Sequence, residues 1–292
     1  MEPFHDPITD SIYVSDGWGT PFRSLKLRRL DARTGAEISA IRLNNAVRTS
    51  CYLDDQMLLV ALDTRLVALD RHTLTQTERW DKRVPRYTSD MISFDRTVLL
   101  MNFLGPSLNA ISLDSGRISR TKVGSCAGMH VFGNQAIICN GKEGAIRLCE
   151  GHKILATWGV PPFKATAYSP VDQILALALG DPFTLTPDSF RSYPLSRTVC
   201  LFSMVGTHDR RDFQAPSDFF AHAFSTDGRS LYLADNRQVT TVAVDDGSHQ
   251  VRGMTRFRRR YGRVTILPTA GLIVCGSDDE HAVLEAYRIE SY

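Results

Sequence analysis

No apolar run in the chain approaches the roughly 18 residues that a membrane-spanning helix needs, so no membrane span is expected. The opening residues, MEPFHDPITD, lack both the basic stretch and the apolar core of a secretory signal, and no leader is expected. Neither sign of charge is in excess: Lys+Arg 34 stand against Asp+Glu 32, for a net +2. That balance gives no whole-molecule field for nucleic acid or lipid, so an electrostatic function has to be local. Nucleic acid ranks last as a partner, because acidic residues are spread through the chain. Cys-x-x-Cys pairs are absent. The six cysteines, Cys51, Cys126, Cys139, Cys149, Cys200 and Cys275, fall mostly in apolar, strand-like segments. They read as buried free thiols in a reducing, cytoplasmic setting. A Cys139–Cys149 bridge between neighbouring strands is the competing reading. Catalytic signatures are missing too. There is no His-Glu-x-x-His, no phosphate-binding loop and no Gly-x-Ser-x-Gly, since Gly124-Ser125-Cys126-Ala127-Gly128 sets its serine one place early.

What the chain does have is ample apolar material, 43% of its 292 residues, arranged as a repeat. The stretch from Ser217 to Gly247 shows the unit. Phe219 to Phe224 reads as a first strand, closed by the turn Ser225-Thr226-Asp227-Gly228. Ser230 to Ala234 is a second strand, and Gln238 to Val244 a third. The turn after the third strand recurs as Leu30-Asp31-Ala32-Arg33-Thr34-Gly35, Leu69-Asp70-Arg71-His72-Thr73, Leu113-Asp114-Ser115-Gly116, Cys149-Glu150-Gly151 and Val244-Asp245-Asp246-Gly247. A further copy is expected near Ser203 to Gly206 and a truncated one ends at Arg288-Ile289-Glu290. A period of about 40 to 50 residues with four short strands per copy is the signature of propeller blades.

The expected fold is therefore all-β: a seven-bladed β-propeller of mostly four-stranded antiparallel blades in a single domain, residues 1–292. The blades fall approximately at 2–44, 45–84, 85–124, 125–160, 161–216, 217–257 and 258–292. A solenoid or a two-sheet sandwich is the alternative architecture. The last blade either has three strands or takes Glu2 to His5 as its outer strand.

At the segments IYVSDGWG, LYLADN and LDARTG the chain resembles the YVTN/lactonase-like and quinoprotein-like propeller repeats. The resemblance covers nearly the whole chain through short, degenerate motifs. It implies the fold and carries over no functional residue. WD40 repeats are a weaker match, because no copy has Trp-Asp at the end of its third strand; Trp80-Asp81 comes later, on a fourth strand. Kelch double glycines are missing as well.

First strands line the centre of a propeller, and aligning them sets Ser50, Asp90, Gly128, Thr166, His222 and Val264 at similar depth. A metal site of the kind the lactonase resemblance would require needs several carboxylates, Asn or His converging there. Asp90 and His222 alone qualify, so no metal and no cofactor are expected. The pair, hydrogen-bonded to each other or held separately, is the candidate for catalysis if there is any. His152, at the turn Glu150-Gly151-His152, reads as an exposed histidine.

Loops between second and third strands share one face with the connections between blades. Three are long: Asp16 to Ser24, Asn102 to Asn109 and Gly180 to Arg197. They carry Trp18, Phe22, Phe103, Phe183, Phe190 and Tyr193, aromatics of the kind that anchor interfaces. Several connections are basic. Arg256-Phe257-Arg258-Arg259-Arg260-Tyr261-Gly262-Arg263 is the densest, and Asp81 to Arg86 and His208 to Arg211 add to it. Arginines beside aromatics grip carboxylates and phosphates through forked hydrogen bonds, although a solvated charged loop is the plainer reading.

Two functions follow. The favoured one is a non-catalytic interaction module, a scaffold or adaptor that binds a partner protein or peptide through Trp18, Phe22, Phe103, Phe183, Phe190, Tyr193, Arg256, Arg258, Arg259 and Arg260. The alternative is a lactonase-, lyase- or isomerase-like enzyme or small-molecule binder holding an anionic substrate at the channel mouth, with Asp90 and His222 inside. The question of catalysis leans to the negative, because no full constellation is present.

Overall fold

In the computed structural model the described residues are 1–15, 25–84, 88–94, 96–102, 105–180, 196–244, 250–261, 263–276 and 284–289. The chain is a seven-bladed β-propeller, and its strands fall into two compact units, Met1–Gly159 and Val160–Tyr292.

The first unit holds four sheets of four antiparallel strands each. In chain order these are β1 Phe4–Asp6, β2 Ser11–Ser15, β3 Lys26–Asp31 and β4 Glu37–Arg42; then β5 Val47–Tyr52, β6 Met57–Leu62, β7 Arg65–Asp70 and β8 Gln76–Arg83. The third comprises β9 Thr88–Phe94, β10 Thr97–Asn102, β11 Ser107–Ser112 and β12 Ile118–Lys122, and the fourth β13 Gly128–Phe132, β14 Gln135–Asn140, β15 Ala145–Glu150 and β16 Lys153–Gly159. The second unit has β17 Phe163–Ser169, β18 Ile174–Leu179, β19 Ser196–Ser203 and β20 Arg210–Phe219; then β21 Ala221–Phe224, β22 Ser230–Ala234, β23 Gln238–Ala243 and β24 Val251–Arg256. Its last sheet, of three strands among the described residues, is β25 Arg263–Leu267, β26 Leu272–Gly276 and β27 Leu284–Arg288.

Burial explains the sequence pattern of each strand. Second strands such as β6 (MLLVAL) and β18 (ILALAL) are apolar at every position, and nearly all of their residues are buried. In one such layer Leu59 and Ala61 of β6 pack with Met91 of β9 and Val98 and Leu100 of β10. In another, Ala176 and Ala178 of β18 meet Leu231 and Leu233 of β22. Outer strands alternate instead: β4 and β24 are half-buried at every second residue, as expected where one face meets water.

The repeated turn after the third strand is an Asx turn. Asp31 Oδ1 accepts from the amides of Arg33 (3.0 Å) and Thr34 (2.7 Å) and from the Thr34 hydroxyl (2.8 Å). Asp70 repeats this with His72 and Thr73. In the third copy the equivalent residue is Ser112, whose hydroxyl accepts from Ser115, while Asp114 pairs with Arg96 at 2.5 Å. The marker there lies two residues earlier than the sequence suggests, because a serine hydroxyl serves the same turn. Gly35 closes the first copy at φ 72, with nothing within 4 Å of where a Cβ would stand. Gly35→Ala is therefore expected to cost about 1 kcal/mol from backbone strain alone, read as a lower urea midpoint at unchanged m-value.

Further expectations need correction: Asp81, Lys82 and Arg83 belong to β8 rather than to a connection between blades, and Ser196 and Arg197 belong to β19 rather than to the loop before it. The strand Phe4–Asp6 pairs with β2 as the first strand of the first sheet, so Glu2 to His5 do not form the outer strand of the last. Phe219 ends β20, paired with Ser196 across a break in register, and the next sheet begins at Ala221 rather than Phe219. The loop read as Asn102 to Asn109 is shorter, since Asn102 belongs to β10 and Ser107–Asn109 to β11. His208 lies between β19 and β20 and Arg210 and Arg211 are in β20, so this basic stretch is a turn between third and fourth strands and not a connection between blades.

Candidate partner-binding site

The connection between β24 and β25 holds the arginine run. It is pinned to the β22–β23 turn by two backbone hydrogen bonds: the Phe257 amide donates to the Arg237 carbonyl at 2.7 Å and the Tyr261 amide to the Asn236 carbonyl at 3.0 Å. Asp235 shapes that turn by accepting from the amides of Arg237 (2.6 Å) and Gln238 (2.9 Å). Between its two pins the connection turns its aromatics inward. The Phe257 ring lies 5.6 Å from Tyr261, edge-on, and 5.1 Å from Tyr287 of β27. Tyr261 is buried, and its hydroxyl lies 2.6 Å from that of Tyr287; both hydroxyls donate to Glu285 Oε2. Burial, then the neighbouring Glu285 carboxylate, pushes the Tyr261 phenol up. The hydrogen bond from Tyr261 holds Glu285 below the ordinary carboxylate range, so it stays charged.

Arg259 is committed to this network. Its Nη2 donates to Glu285 Oε1 at 2.6 Å, and its guanidinium sits 5.3 Å from the Tyr261 ring centre. Arg256, Arg258 and Arg260 are exposed and form no ion pair among the described residues, and Arg237 is exposed next to them. The result is a group of forked cations on a braced backbone, with Arg258 further tied by its amide to the Tyr287 hydroxyl at 3.1 Å. Such an arrangement can accept carboxylates at a reduced cost in backbone ordering.

Of the sequence-derived binding residues, Arg256, Arg258, Arg259 and Arg260 are therefore brought together, with Arg259 in a bracing role. Trp18, Phe22, Phe103, Phe183, Phe190 and Tyr193 lie outside the described residues. Sequence reasoning missed Glu285, Tyr287 and Arg237. The alternating run Leu284-Glu285-Ala286-Tyr287-Arg288 was a signal for a strand with an inward Glu/Tyr face.

Asp90 and His222 are placed on first strands, β9 and β21, as expected. Asp90 Oδ1 accepts from its own neighbour's amide at Met91 (2.9 Å), and Oδ2 from the Met129 amide of β13 (2.7 Å), which joins two adjacent first strands. Burial pushes its carboxyl up to about 6. His222 Nε2 lies 2.8 Å from the Ala176 carbonyl, while Nδ1 is buried with no hydrogen-bond partner among the described residues. Burial lowers this imidazole to about 4, and the carbonyl makes the neutral Nε2–H tautomer the fitting one. Both Asp90 oxygens are thus satisfied within the first unit, whereas His222 is held within the second through Nε2 alone.

Among the described residues no group of three or more His, Cys, Asp or Glu could hold a metal ion, and no helix is long and apolar enough to cross a membrane. All six cysteines are free, with Cys139 and Cys149 buried but unbridged. Burial pushes the Cys149 thiol up to about 11 and those of Cys51 and Cys200 to about 12, which leaves them inert as nucleophiles. His152 is exposed at its turn, beside Glu150 and Lys153 on a shallow cleft of about 290 Å³ that also touches Phe94 and Asn134.

No family model matches the sequence, and no curated protein matches it. Solved structures do. The chain is similar to the WD40 domain of Neurospora crassa Pan2, with a TM-score of 0.75 and 10% identity over 99% of this chain and 89% of that one. Kuenenia stuttgartiensis hydrazine synthase gives a TM-score of 0.74 at 10% identity, over 98% and 94%. Kluyveromyces marxianus Hsv2 gives 0.67 at 11%, over 99% and 98%. At these identities the likeness is one of fold, and the same fold carries a WD40 domain and an enzyme.

Proposed function

We infer that the protein is a non-catalytic interaction module that docks a partner protein or peptide through the end of its sheets where strand-two-to-three loops and blade connections open. The observation that carries this reading is the braced cluster of Arg256, Arg258 and Arg260 on the Phe257–Tyr261–Tyr287–Glu285 network. Exposed arginines are ordinary, but these stand on a connection fixed at both ends, so less freedom is lost when they bind. The aromatic residues Trp18, Phe22, Phe103, Phe183, Phe190 and Tyr193, which lie outside the described residues, remain candidates for partner contact on the sequence alone. Six unbridged cysteines fit a reducing, cytoplasmic setting.

The test is native mass spectrometry of the chain purified gently from its own host, beside the triple variant Arg256→Glu/Arg258→Glu/Arg260→Glu. The reading expects a protein retained in fixed stoichiometry by the wild type and reduced about 10-fold or more in the variant, the loss of at least one forked charge pair. A stoichiometric small anion or metal in place of a protein would overturn it and move the assignment to Asp90 and His222.

A further inference from the structure

The last sheet differs from the other six. Each of those has four strands, whereas β25–β26–β27 has three among the described residues. Its third strand also differs in burial. The third strands β3, β7, β11, β15, β19 and β23 each contain buried residues, because a fourth strand covers their outer side. β27 contains none, and its burial alternates in the same way as the outer strand β12. Its pairing with β26 is regular from Leu272↔Arg288 to Gly276↔Leu284, with no bulge to twist the edge away. Proline and lysine, which commonly guard such edges, are absent from it. An edge of about 17 Å that no strand pairs with among the described residues is a template for one more strand.

We propose that β27 is a strand-addition site that takes an extended segment of a partner protein as the fourth strand of this blade, and that the segment is apolar in its middle and acidic at its ends. This rests on the interaction-module reading and specifies its partner. Leu284, Ala286 and Arg288 form the exposed face of β27, and Glu285 and Tyr287 point into the braced network. A strand added antiparallel therefore meets Leu284 and Ala286 with apolar residues at alternate positions and Arg288 with an acid at its N-terminal end. The start of β27 lies at the arginine end of the blade, since Gly276 pairs with both Arg263 and Leu284. The added strand thus runs its C-terminal end toward Arg258 and Arg260, where further carboxylates are matched. A second copy of this chain fits less well. Antiparallel β27–β27 pairing would bring Arg288 of each copy to the arginine end of the other.

The experiment uses the full chain and a fluorescent peptide of about a dozen residues, Val and Ile alternating with Thr, with one Glu before and three after. Binding is read by anisotropy, and protection of residues 284–288 by hydrogen exchange. The expected result is saturable binding that protects β27. It weakens about 10-fold or more when alternate peptide amides are N-methylated, because the ladder hydrogen bonds are lost. It weakens similarly with Arg258→Glu/Arg260→Glu, and a lysine-ended peptide rescues that variant. Equal binding by the N-methylated peptide, protection confined to other strands, or absence of saturable binding overturns the proposal. So does a concentration-dependent dimer that protects β27 without peptide. A host partner that depends on the arginines while β27 stays unprotected would defeat the strand-addition site and leave the interaction module standing.

Discussion

Asp6→Ala is expected to lower the unfolding free energy by about 3 to 5 kcal/mol, the usual cost of stranding one member of a buried ion pair. Asp6, at the end of β1, is fully buried, and Arg71, in the turn after β7, is 2% exposed. The guanidinium meets the carboxylate with two nitrogens, Nε to Oδ2 at 2.6 Å and Nη2 to Oδ1. Asp6 also accepts from the Ile8 amide (2.9 Å) and the Thr9 hydroxyl (2.7 Å), so it both shapes the first hairpin and anchors the second sheet. Arg71 is committed elsewhere as well: it lies 4.1 Å over the Tyr52 ring, and its carbonyl accepts from the Tyr13 hydroxyl at 2.5 Å. Burial works against the Asp6 charge, but the Arg71 hydrogen bond and charge win, and its carboxyl is held below the ordinary range. Removing Asp6 leaves a cation with no counter-charge in a dry site. The double variant Asp6→Ala/Arg71→Met should recover a large part of the loss, since no charge then remains buried. Urea unfolding of both variants measures this. A single-mutant cost under about 1 kcal/mol would show that the pair is not buried in solution.

The sequence made the blades legible because each level repeated the same message. Apolar second strands, alternating outer strands and Asx turns recur together, and all three follow from stacking sheets that cover one another's faces. What failed to show did so for physical reasons. Ser112 replaces the aspartate of its turn, since only an acceptor oxygen is needed there, and the nearby Asp114 mimics the marker while pairing with Arg96. Phe219 is as apolar as a first strand requires, yet its backbone closes β20. Asp6 and Arg71 lie 65 positions apart and Tyr261 and Glu285 lie 24 apart, so neither network leaves a local trace. The arginine run was visible as composition. That one of its members is spent on bracing was not, because it depends on a carboxylate two strands away.

The pH dependence of stability separates the roles of the two half-buried first-strand groups. Asp90 titrates near 6 in the fold against about 3.9 when unfolded. Between those values the native state binds more protons, so this group's contribution falls as pH rises from about 4 to about 6. His222 runs the other way. Its folded value near 4 lies below the unfolded value of about 6.5, so the unfolded state binds more protons and stability rises with pH across that window. Each contributes up to about 3 kcal/mol, an upper figure because both side chains keep some contact with solvent. The two slopes nearly cancel, and the wild type should be almost flat between about pH 4 and 6. Asp90→Asn removes the falling term, leaving stability that climbs by as much as about 3 kcal/mol over that range. His222→Gln removes the rising term and leaves a decline of similar size. Urea midpoints at half-unit pH steps decide it, kept above the range where protonation of Asp6 adds its own loss. Parallel profiles for wild type and Asp90→Asn would mean that Asp90 titrates normally and is open to solvent, which is the condition the channel-mouth enzyme reading would need.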